Sequence, residues 1–178
     1  MTAAMPDYKP RARAFWAELF NAHDLRNVRG YFAPEFVNHN ARPGTPDGPE
    51  GAGQVFSRLW AGCPDMHFDP QEMVAEGSKV VCIGMMTGTH DGPFHGLPAT
   101  HRPIAARQIH VLTFSDTGLI TEHLAVRDDI AVLRQLGALP HDPALRSPPD
   151  TAATRPGLHQ STKSARQDRG SLPPARGQ

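Results

Sequence analysis

Asp128 and Asp129 are adjacent carboxylates that follow the apolar stretch Leu119–Arg127 and precede Ile130-Ala131-Val132-Leu133, where a strand hands over to a helix. A carboxyl in an apolar pocket, its pKa raised, can take a proton in one step and return it in the next. Only one of the pair is free for that work, because the other is needed to cap the helix. Gln108 and His110 alternate with Leu112 and Phe114, so two polar groups share a face that is apolar further along. That pattern predicts a pocket floor that donates hydrogen bonds to a carbonyl. Phe36-Val37-Asn38-His39-Asn40 reads as a short strand, on which His39 points opposite to Asn38 and Asn40. Phe36 and Trp60 are candidates for apolar wall, and His90, closing Thr87-Gly88-Thr89-His90, is a candidate for the rim. His123 and Arg127 share one face of their strand, opposite to Leu124, Val126 and Asp128. With Asp128 inward, that pair is expected on the outer surface or at a subunit interface.

The elements that must hold these residues follow from periodicity. Arg11–Ala22 carries Phe15, Leu19 and Ala22 on one stripe with Trp16 and Phe20 beside it, which predicts a helix burying a broad face. A short helix runs from Asp24 to about Tyr31, with Pro34 expected to end it, and a third spans Glu50–Gly62. From Met66 the period changes to two. Strands are predicted near Met66–Val74, over Val80–Thr89, over Ile104–Phe114 and over Leu119–Arg127, with Ser115-Asp116-Thr117-Gly118 as a hairpin turn. A last short helix, Asp129–Leu136, is closed by Gly137. Helices first and then a run of antiparallel strands predict an α+β fold, with helices over one face of a curved sheet and a cavity between them.

Composition bounds the rest. The 178 residues hold 18 basic and 18 acidic side chains, which removes the usual electrostatic case for a nucleic-acid or anionic-membrane partner. The expected domain is 1–140. Residues 141–178 contain six Pro, no aromatic residue and six basic against three acidic groups, and are expected to be a disordered tail. Cys63 and Cys82 have no metal-binding or disulfide-framework spacing, and no apolar run is long enough to span a bilayer, so a cytoplasmic location is expected. The ten histidines include no HExxH and no His-x-His pair, and no metal is expected. Nucleophile-elbow, P-loop and dinucleotide motifs are absent from the sequence.

One ordered series of segments adds to this reading. Phe36–Asn40, Cys63-Pro64-Asp65-Met66, Val74–Val81, Thr87–His90, Phe94–Arg102, Gly118–His123, Asp128 and Gln135-Leu136-Gly137 follow one another as in the SnoaL-like polyketide cyclases. Over roughly residues 12–140 the chain resembles that family, whose fold is the nuclear-transport-factor-2-like α+β cone or barrel. The resemblance implies a cofactor-free cyclase that closes a ring of a polyketide methyl ester by intramolecular aldol condensation. It implies that Asp128 is the acid/base carboxylate and that His39 is the family histidine beside it; Asp129 is then left to cap, and His110 is expected to assist as a hydrogen-bond partner. It also suggests a homodimer through the sheet. Leu124 stands where relatives often carry Trp, and is expected to form pocket wall beside Asp128. Two other functions compete: epoxide hydrolysis or epoxide-ring closure, which wants two converging carboxylates, and a non-catalytic ligand-binding module.

Overall fold

A computed structural model describes residues 6–140; the expected tail, 141–178, lies outside the described residues. Helix α1 (Lys9–Ala14) starts with Pro10 in its first turn and runs directly into a π-helical segment, Phe15–Phe20. There the Asn21 N–H reaches back five residues to the Trp16 carbonyl at 2.8 Å. The wider turn keeps Phe15, Trp16, Leu19 and Phe20 all buried on one side. A single helical turn, α2 (Val28–Tyr31), leads into strand β1 (Phe32–Asn38), and α3 (Gly48–Gly62) follows. The remaining strands are β2 (His67–Glu76), β3 (Lys79–Thr89), β4 (Pro103–Phe114) and β5 (Ile120–Arg127), and α4 (Asp129–Gln135) closes the described chain.

These elements make the α+β fold anticipated from the sequence, with a five-stranded curved sheet in the order β1-β5-β4-β3-β2. Two details differ. The sheet is not wholly antiparallel, because β1 runs parallel to β5. It is not closed into a barrel either, and β1 and β2 are its two edges. Strand β1 also begins four residues earlier than its sequence suggested and runs through Pro34. An edge strand can accommodate a residue without an N–H, so Pro34 sits within β1, while α2 ends at Tyr31 as expected.

Register decides which side chains meet. On β4, Ile104, Ala106, Gln108, His110, Leu112 and Phe114 all face inward and are buried. Directly opposite residues of paired strands share a face. Gln108 pairs with Arg127, His110 with Ala125 and Leu112 with His123, so His123, Ala125 and Arg127 face inward. Asn38 pairs with His123 and joins them from β1. The inner face packs against the aromatic side of α1 and its π-helical extension, where Trp16 meets Phe68 at 4.3 Å between ring centroids. On β3, Gly84 admits the neighbouring strand, since a Cβ there would lie 2.1 Å from the Asp69 carbonyl oxygen.

Candidate functional site

Between the inner face of the sheet and the helices lies a cavity of about 620 Å³. Its walls are aromatic and aliphatic, with Phe15, Phe32, Phe36, Phe56 and Met86 among them. Phe36 thus takes its expected place. Trp60 does not: it turns away beside the cavity-lining Leu59, stacking on His23 at 4.7 Å.

The floor is polar and tightly connected. His110 is buried, and its ring is held by the edges of Trp16 and Phe68, each 4.8 Å away between ring centroids. One of its nitrogens, Nε2, lies 2.9 Å from Gln108 Oε1, and the other, Nδ1, lies 2.9 Å from His123 Nε2. His123 Nδ1 in turn lies 3.2 Å from Asn38 Oδ1. Burial, followed by the neighbouring charges of which Arg127 is one, pushes His123 down to about 4 and His110 well below its usual range. Both imidazoles are therefore neutral at pH 7. Gln108 and His110 stand where the alternation on β4 put them. Asn40 also lines the cavity, but its amide is spent on the backbone. It donates to the Ala125 carbonyl at 3.0 Å and accepts from the Ala125 N–H at 2.5 Å, extending the sheet past the end of β1.

Towards the mouth, Asp129 is the one carboxylate lining the cavity among the described residues. Its Oδ1 lies 3.6 Å from Arg127 Nε and 4.0 Å from His95 Nε2. His95 comes from the loop between β3 and β4, in the left-handed region at φ 50°. Its pKa is lowered by burial, against the upward pull of Asp129. Arg42 and Arg58 complete the charged lining.

Asp128 and Asp129 have exchanged the places expected of them. The Asp128 carboxylate accepts from the Ala131 N–H at 2.9 Å, making it the N-cap of α4, and it is exposed outside the cavity. The strand-face assignment that put Asp128 and Leu124 inward is corrected with it. Leu124 lies on the outer face, 47% exposed, while His123 and Arg127 turn into the cavity. His39 is also on the outer side, paired with Glu122 at 3.3 Å and absent from the cavity lining. His90 is fully buried and is not a rim residue. Its Nδ1 meets Thr100 Oγ1 at 2.9 Å, and its carbonyl accepts from the Thr100 and His101 N–H groups, tying down the loop that carries His95. The residues the sequence reading left out of the site are Asn38, His95, His123, Arg127 and Asp129. The pairing of His123 with a polar β4 face was the available signal, since two strands joined by a tight hairpin share inner faces.

The arrangement offers one carboxylate beside a guanidinium and an imidazole, over a neutral hydrogen-bonding floor in an apolar cavity. Among the described residues, no group of three His, Cys, Asp or Glu side chains is placed to hold a metal ion. Burial pushes the Cys63 thiol up to about 11 and the Cys82 thiol upward as well, so neither supplies a thiolate at neutral pH. The two converging carboxylates wanted for epoxide chemistry are not brought together, because Asp128 points away.

Comparison with known proteins agrees with this architecture. The model of the SnoaL-like polyketide cyclase family matches residues 10–136. The aklanonic acid methyl ester cyclase DnrD of Streptomyces peucetius is 29% identical over 123 residues, covering 67% of this chain and 84% of its own. TsrD of Streptomyces laurentii superposes with a TM-score of 0.69 at 26% identity, over 77% of this chain and 100% of TsrD. IdmH of Streptomyces antibioticus gives a TM-score of 0.64 at 32% identity, over 74% and 99% of the two chains. With the family pattern running from the first helix to the last, over a cavity built on its sheet, the chain belongs to the SnoaL-like polyketide cyclases.

Proposed function

We propose that the protein closes a ring in a polyketide-like substrate by intramolecular aldol addition, using acid/base catalysis without a cofactor. The observation that carries this reading is Asp129. Among the described residues it is the one cavity-lining carboxylate, held beside Arg127 and His95. In this reading Asp129 takes a proton from the carbon between two carbonyls. The carbanion, held as its enolate, adds to a second carbonyl, and the proton returns to the new alkoxide. Arg127 and His95 keep the carboxylate oriented, and the aromatic walls fold the chain so that the two carbons meet. His110 has both ring nitrogens engaged and serves as floor rather than base. The acid/base role implied for Asp128 passes to its neighbour.

The same reading places the protein in the cytoplasm as a homodimer joined through the outer face of the sheet. Exposed Val74, Ile109, Leu124 and Val126 support that pairing.

The test is incubation with aklanonic acid methyl ester, the compound for which DnrD is named, and with simpler methyl esters bearing 1,3-dicarbonyl chains. Aldol addition conserves mass, so the product is a cyclised isomer. Asp129→Asn is expected to lower kcat roughly 10²–10⁴-fold with little change in melting temperature. Asp128→Ala is expected to lose about 0.5–2 kcal/mol of stability and keep its turnover. Normal turnover by Asp129→Asn would remove the proposed chemistry.

A further inference from the structure

The hydrogen-bonded floor has two unlike ends, and one of them fixes its direction. Asn38 Oδ1 accepts from the Asn40 backbone N–H at 3.0 Å, so Asn38 presents an oxygen, not its NH2, to His123 Nδ1. The chain Asn38–His123–His110–Gln108 then contains three contacts, of 3.2, 2.9 and 2.9 Å. Three hydrogen bonds need three protons, and two neutral imidazoles carry two. The count is completed in one way. His123 holds its proton on Nδ1 and gives it to Asn38; its bare Nε2 accepts from His110 Nδ1–H; the bare His110 Nε2 needs a donor. Gln108 must supply that donor from its NH2.

The two heads of a glutamine amide have nearly the same shape, and the network decides between them. The structure places Gln108 Oε1 at 2.9 Å from His110 Nε2; turning the amide over puts NH2 toward His110 and makes the carbonyl oxygen the other head. That head has no partner among the described residues, and it belongs to a side chain that lines the cavity. The opposite setting either leaves His123 Nδ1 and Asn38 Oδ1 facing each other as two acceptors 3.2 Å apart or needs a third proton on the pair. The resulting cation would be shut in by Trp16 and Phe68 and would face Arg127, which also lines the cavity. Besides Arg127, His39 is the other group whose charge acts on His123, and Asp129 stands at the mouth with its own partners.

We propose that the floor binds a hydroxyl of the substrate, a phenol or the enol form of a 1,3-dicarbonyl, as a donor to the Gln108 carbonyl oxygen, and disfavours a bare ketone there. Asn38 sets this preference through two imidazoles. The sequence-based expectation had the reverse polarity, with Gln108 and His110 donating to a carbonyl. The inference rests on the cavity being the substrate site, and its test needs no turnover.

Nitrogen-15 NMR of the full chain at pH 7 should show both His110 and His123 as Nδ1–H tautomers. An Nε2–H form of His110, or an imidazolium, overturns the proposal whether or not any substrate is cyclised. Binding of 1-naphthol and 1-tetralone, a matched bicyclic hydroxyl and ketone, should favour the naphthol about tenfold or more. Asn38→Leu removes the accepting end and frees the chain to reverse, so the preference should shrink or turn toward the ketone. Gln108→Leu should weaken the naphthol and leave the tetralone little changed. Equal affinities in the wild type, or an unaltered preference in folded Asn38→Leu, would each disprove it. Turnover without the tautomers leaves the cyclase reading intact, and tautomers without turnover leave this one.

Discussion

A carboxylate's role here is set by a single step along the chain. Asp128 and Asp129 are chemically identical neighbours, yet one spends its lone pairs on the Ala131 N–H and the other faces a cavity with Arg127. Local sequence offers no way to choose, because either can serve as the cap of a helix beginning at Ile130. The choice is made by the register of β5 against β4, which also turns Leu124 outward. Enlarging Leu124 is therefore expected to leave the cavity alone: Leu124→Trp should bind the naphthol and tetralone probes as the wild type does. A changed ligand profile measured by calorimetry, without a change in oligomeric state, would count against the strand assignment.

The order and type of the elements were legible from periodicity, since each carries its apolar residues at the spacing its geometry requires. The face of β5 was not. A strand is normally read by putting its apolar residues inward, but Leu124 and Val126 are apolar and point out, while His123 and Arg127 are polar and line a cavity. Where a cavity replaces the core, alternation inverts. Gln108 and His110 escaped this error because Leu112 and Phe114 on the same face marked it as inner. The path of the chain after β1 was equally hidden, because Asn40 continues the sheet with a side chain instead of a backbone. Its amide fills both hydrogen-bonding groups of Ala125. Asn40→Ala should leave that N–H and C=O unpaired and cost about 1–3 kcal/mol in denaturant unfolding. A loss well under that range would mean that water replaces the amide without penalty.

For the molecule as a whole, the buried imidazoles make stability depend on acid. Their folded pKa values lie below the ordinary 6.5, at about 4 for His123 and well below 6.5 for His110. Between pH 6.5 and 4 the unfolded chain binds protons that the folded one refuses, so stability is full above about 6.5 and falls as the pH drops through this window. The His123 shift alone corresponds to about 3 kcal/mol. Melting temperature should decline over that range, and His123→Gln should flatten the decline; a melting curve unchanged down to pH 4 would refute the assignment. The two open edges of the sheet have a different consequence. Pro34 sits in β1 and Pro70 at the register shift of β2, so each edge carries a residue with no N–H to offer an incoming strand. Fibrillar growth by strand addition is thereby blocked at both ends. A Pro34→Val/Pro70→Val double variant should fold and bind the probes normally yet scatter light and bind thioflavin on prolonged incubation, whereas the wild type stays clear.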